Sequence, residues 1–145
     1  MLTAYLTKKS AMYSKVLVPV SLAEGAETEK AFSMAKAFVG DAGEIHAVHV
    51  METVPSFTSA YVPSDLTGQL ADATHERFEK VVPSDVKTRE LLHGSAGGAI
   101  LDYAEKVGVD CIVIASHQPG LADYFLGSTA ARVVRHAQCS VHVLR

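Results

Sequence analysis

Short apolar runs bounded by turn residues alternate with amphipathic helical stretches along this chain, and that alternation is what most restricts the fold it can adopt. Val16-Leu17-Val18-Pro19-Val20 is apolar throughout, the pattern of a central parallel strand covered on both faces, with Pro19 suited to its end rather than its middle. From Glu24 to Val39 apolar residues recur at helical spacing, and Gly40 supplies a stop. Ile45 to Val50 reads as a second strand, Leu66 to Val82 as a second helix and Val86 to Leu92 as a third strand at a partly exposed edge. Gly94-Ser95-Ala96-Gly97-Gly98 turns the chain into a third helix, Ala99 to Val107, which stops at Gly108. Cys111 to Ala115 is the most clearly buried strand, Ser128 to Ala137 a fourth helix and Val141 to Leu144 the last strand. Strands joined through helices by right-handed crossovers make an α/β fold, an open parallel five-stranded sheet with helices on both faces. A length of 145 residues suits one domain, expected over residues 13–145 behind a flexible N-terminal extension, residues 1–12.

Composition removes several function classes. The net charge of −3 gives no basic face for nucleic acid, although Arg132, Arg135 and Arg145 meet only Asp123 beyond residue 110, so the last third is locally cationic. Cys111 and Cys139 stand in no metal-binding spacing and fit a reducing compartment, as two half-buried thiols rather than a redox pair. Lys8 and Lys9 interrupt the first apolar run before any export cleavage site, and no later run nears the roughly 20 residues that span a bilayer. The expectation is a cytoplasmic protein with no membrane and no nucleic-acid partner.

In an open parallel sheet the ligand crevice lies beyond the carboxyl ends of the strands where their order reverses, which nominates Pro19 to Ser21 and Ala115 to Ser128. At the far end of the second segment, Gly127 leaves space for a backbone to approach an anion. Ser128 and Thr129 add hydroxyls, and the first-turn amides of the helix are unpaired donors at its positive end. The same dipeptide also reads as a plain helix cap. His117 reads equally as a ligand contact or as a loop anchor, and Arg132 and Arg135 as phosphate contacts or as a solvated or dimer face. The G-x4-G-K-S/T and G-x-G-x-x-G fingerprints are absent, and Gly94 to Gly98 fits neither. His46 and His49, three apart on a strand, point to opposite faces and cannot share a metal. With no G-x-S-x-G elbow and no paired carboxylates, no catalytic residue and no metal ligand is assigned.

The stretch Ile112 to Arg145, IVIASHQPGLADYFLGSTAARVVRHAQCSVHVLR, together with the early V-P-V strand and HGSAGGAILDYAE, resembles the universal stress protein family over essentially residues 13–145. Nucleotide-binding members of that family carry G-x2-G-x9-G-S/T; here Ala115 and Gln118 replace the two early glycines, the loop is one residue shorter, and Ser21 stands where an aspartate is common. SHQP followed by FLGS is similar to a shortened variant whose subgroup binds ATP. The resemblance implies an adenine nucleotide alpha hydrolase-like sheet of order 3-2-1-4-5 and a homodimer paired through the last strand, Val141 to Leu144. It also implies bound ATP or AMP, with Mg or Mn as a companion of the phosphates. Pro19, Ser21 and the backbone of Val50 would line the adenosine end. Ala115 and His117 would sit beside the ribose and first phosphate, and Gly127, Ser128 and Thr129 would hold the outer phosphates. The function expected is an adenine-nucleotide-binding regulator of the stress response. The alternatives are an interaction module of the same family without nucleotide and, third, a slow ATP hydrolase or nucleotidyl transferase.

Overall fold

The computed structural model describes residues 11–23, 26–53, 61–116 and 126–145. Strand β1 spans Lys15–Pro19, helix α1 Thr28–Val39, β2 Glu44–Met51, α2 Ser64–Val81 and β3 Thr88–His93. Helix α3 follows over Ala96–Val107, then β4 over Cys111–Ala115, α4 over Ser128–His136 and β5 over Ser140–Leu144. All neighbouring strands pair in parallel, in the order β3-β2-β1-β4-β5, so the expected architecture is the observed one.

Period-2 alternation in the strands sorts their side chains into two cores, one on each side of the sheet. Val16, Val18 and Val113 pack with Phe32 and Ala35 of α1 and Phe78 of α2. Leu17, Val48, Ile112 and Ile114 face Ile100 and Tyr103 of α3 and Val133 of α4. The central strands are fully buried, which is why they read as unbroken apolar runs: each such aliphatic side chain contributes about 1.5–3 kcal/mol by leaving water. At the base of the sheet, the Asp110 carboxylate accepts the Ser14 and Lys15 amides at 2.9 Å each and so aligns the starts of β1 and β4. The backbone is tied down from Met12 onward, with the Met12 and Tyr13 amides both donating to the Phe38 carbonyl; residues 1–10 of the expected extension lie outside the described residues.

Several boundaries differ from the periodicity. Helix α1 starts at Thr28 rather than Glu24, and the chain from Val20 to Ser21 and Ala26 to Thr28 forms a cavity wall instead. Helix α3 starts three residues earlier than expected, because Gly97 and Gly98 are helical and not part of a turn. Only Gly94 of that run has a positive φ, 123°, and acts as the turn. Strand β3 begins at Thr88 because the Val86 amide is used by the Pro83 carbonyl. The Arg89 guanidinium braces that turn by donating to the Val86 and Pro83 carbonyls.

The registers are unequal, and this positions the site. β1 pairs with β2 over five residues and β4 with β5 over five, but β1 and β4 are in register only at Val16–Cys111 and Leu17–Ile112. Beyond Leu17 the two central strands share no further registered pair, because Pro19, next in line to donate to β4, has no amide hydrogen. Their helices leave on opposite faces, and the gap between the strand ends is a crevice.

Candidate nucleotide-binding cavity

The carboxyl ends of β1 and β4 open into a cavity of about 540 Å³, within the usual size of small-molecule sites. Pro19 and Ser21 come from the end of β1, Val50 from β2, Ala115 from β4, and Gly127, Ser128 and Thr129 from the start of α4. The structure therefore brings these seven residues together on one cavity; His117, with Gln118, lies outside the described residues, and Arg132 and Arg135 are exposed and do not line the cavity.

Each wall has a distinct chemistry. The exposed Ser21 accepts the Ala23 amide on Oγ at 3.3 Å, which leaves its hydroxyl hydrogen to donate; a serine here can therefore either give or take a hydrogen bond, whereas an aspartate could only accept. On the opposite wall Gly127 caps α4, and its carbonyl accepts the Ala131 amide at 2.8 Å. Its φ of −56° and ψ of 153° are open to any residue, and a Cβ there would meet the Ser116 carbonyl only at 3.8 Å. The protein itself thus does not require glycine at 127; the space it leaves belongs to the cavity. The α4 first turn has no acidic side chain, so its amide donors and partial positive charge face the cavity without a neutralising carboxylate. Two acids line the cavity away from α4: Glu27, at the start of α1 and paired with Lys30 at 3.4 Å, and Glu52, just past β2.

The fold also delivers residues that sequence reasoning missed. His49 lines the cavity, and because its Nδ1 lies 2.8 Å from the Val20 carbonyl, an acceptor only, Nδ1 must carry the hydrogen and Nε2 is the acceptor of the neutral ring. His46 sits across the sheet, buried, with Nδ1 2.8 Å from the Tyr103 hydroxyl and Nε2 3.2 Å from Glu44, so the two histidines do occupy opposite faces. Ser116, at the cavity floor, donates both its amide (2.9 Å) and its hydroxyl (3.0 Å) to the Leu144 carbonyl and ties the end of β4 to β5. Thr74 of α2 reaches the rim, its hydroxyl engaged by the Leu70 carbonyl at 2.8 Å. The signal for His49 was present as strand alternation, which places it on the α1 side; what joined it to the site was the Val20 carbonyl, a contact between strands.

Among the described residues no cluster of three His, Cys, Asp or Glu can hold a metal, and no cavity hydroxyl is bonded to an imidazole. The arrangement can bind, with apolar walls at one end and backbone donors at the other. The cysteines lie away from it. Burial, with Cys139 nearby, pushes the Cys111 thiol up to about 11, and burial raises Cys139 too; both are free thiols, Cys111 in the core on one face of the sheet and Cys139 packed against the core on the other. No described helix is long and apolar enough to cross a membrane.

Residues 12–145 match the model of the universal stress protein family. Universal stress protein G of Escherichia coli O157:H7 is 31% identical over 143 residues, which cover 92% of this chain and all of that protein. Among solved structures, the universal stress protein UspA from Lactobacillus plantarum aligns with a TM-score of 0.66 at 25% identity, covering 94% of this chain and 100% of that one. A universal stress protein from Archaeoglobus fulgidus, solved in complex with dAMP, shares the fold with a TM-score of 0.58 at 16% identity over 92% of this chain and 99% of that chain.

Proposed function

This chain belongs to the universal stress protein family, and on that premise we propose that it is a cytoplasmic, adenine-nucleotide-binding regulator of the stress response that takes ATP or AMP in the cavity between the ends of β1 and β4. The observation that carries the proposal is the division of that cavity: Pro19, Ser21 and the Val50 backbone on a largely apolar side, and the Gly127 to Thr129 helix start on the other. A flat, apolar base suits the first wall and an anion the second. In this reading Ser21 hydrogen-bonds a ribose hydroxyl, Ala115 and His117 flank the ribose and first phosphate, and the α4 amides take the outer phosphates. A dAMP complex in a protein of the same fold supports the ligand class. A divalent ion such as Mg or Mn would arrive on the phosphates, since the described residues offer it no cluster of their own. The working unit is a homodimer joined through the β5 edge, Val141 to Leu144, because β5 ends the sheet and offers one unpaired side.

Thermal unfolding tests the binding directly. A ligand at one hundred times its Kd stabilises the native state by about 2.7 kcal/mol, so ATP or AMP must raise the melting temperature. Gly127→Val fills the space next to the α4 amides, and since the backbone there accepts any residue, it should fold normally and lose the shift. A wild-type protein whose melting temperature no adenine nucleotide moves would refute the proposal.

A further inference from the structure

Gly97 is buried in the first turn of α3, and a Cβ placed on it would lie 2.6 Å from Cδ of Arg132 and 3.1 Å from its Cβ and Cγ. Helix α3 therefore has a notch where the aliphatic stem of an arginine from α4 lies down. Side chains on a helix lean towards its N-terminus, so this stem runs back along α4 towards Ser128 and Thr129, one turn earlier and both on the cavity. The residues around the notch on α3, Ala96 and Ile100, also line the cavity. The Arg132 stem thereby lies against the first turn of α3, next to the cavity-lining Ala96 and Ile100, without Arg132 itself lining the cavity.

That place is already positive. Both helix starts carry partial positive charge, and neither has an acidic side chain in its first turn. Among the described residues no carboxylate is paired with Arg132. An exposed arginine gains nothing from lying beside two like-charged helix ends, and a helix loses stability by placing glycine in its first turn. An anion in the cavity reverses the sign of the first cost.

We propose that Arg132, seated in the Gly97 notch beside the cavity, turns its guanidinium to the outer-phosphate end when ligand binds and makes the site selective for nucleoside polyphosphates over nucleosides. This rests on the nucleotide reading above and adds to it a residue and a ligand class. Guanidinium donors suit phosphate oxygens because two N–H groups can engage at once, and such charge-assisted bonds are the strong ones. AMP, with a single phosphate near Ala115, falls short of Arg132, whereas the β- and γ-phosphates of ATP reach it.

The test is titration calorimetry of the full chain with ATP, AMP and adenosine. Arg132→Met keeps the apolar stem that fills the notch and removes the charge; it should weaken ATP by about tenfold or more and leave adenosine within a factor of about two. Gly97→Ala, which displaces the stem, should weaken ATP in the same direction and spare adenosine. If the Arg132→Met variant binds ATP as tightly as the wild type, or loses ATP and adenosine equally, the assignment of Arg132 fails while nucleotide binding stands. If the wild type binds none of the three, the nucleotide reading fails and the assignment falls with it.

Discussion

A single phenol shows how burial in this fold translates into pH dependence. Tyr103 of α3 lies 2.8 Å from His46 Nδ1, and burial, with the Glu90 carboxylate beside it, pushes its hydroxyl up to about 12 from an ordinary 10.0. Both effects disfavour the phenolate. The raised native value means that the stabilisation is complete below pH 10, where both states hold the proton, and is lost as the pH rises through about 12, where the native state must ionise as well. Denaturant titrations across that window should therefore show the wild type losing its advantage over a Tyr103→Phe variant as alkalinity increases. At neutral pH the variant should be less stable by about 1–3 kcal/mol, because His46 Nδ1 is left buried without a partner. A stability difference that stays constant from pH 9 to 12 would show that the phenol is not held as described.

At the scale of elements, edges and helix starts decide what each segment can do. β5 closes the sheet with Val141 and Val143 half-buried and one side of its backbone unpaired. A charge on such an edge blocks strand pairing. Light scattering should give the wild type twice the 15.4 kDa of one chain and a Val141→Lys variant a single chain mass; a monomeric wild type would rule out the edge-paired dimer. The existence and order of these elements were legible in the sequence because parallel strands buried on both faces are continuous apolar runs, and because Gly40 and Gly108 sit at helix ends. The strand order came from the family resemblance alone. The start of α3 differs from the reading because Gly97 and Gly98 carry the local signature of a turn, while what a side chain at 97 would meet is Arg132, on another helix. Much of the cavity was legible for a similar reason in reverse: Pro19 and Ala115 end strands, Ser21 follows one and Gly127 opens a helix, positions that topology alone sends to the crevice. Glu27 and Thr74 reach it only through tertiary packing, which leaves no local trace, and His49, whose face the strand alternation does mark, is joined to it by the Val20 carbonyl.

Taken as a whole, the molecule is two half-sheets, β3-β2-β1 and β4-β5, that meet along a seam of two registered pairs, Val16–Cys111 and Leu17–Ile112. Asp110 pins the lower end of that seam through the Ser14 and Lys15 amides, and Ser116 fastens the upper end of β4 only to its own half. A ligand held at once by Pro19 and Ser21 on one side and Ala115 and Gly127 on the other then joins the two halves where Pro19 leaves the ladder without a bond. Amide hydrogen exchange should register it: nucleotide should slow exchange most at Val18, Val20, Ile114 and Ala115, which line the cavity, and least along β3. Uniform slowing over all five strands would instead mean that the ligand merely lowers global unfolding. With the seam clasped, whatever surface the two halves present jointly becomes more rigid, and a small molecule in the middle of the sheet acquires a lever on faces it never touches.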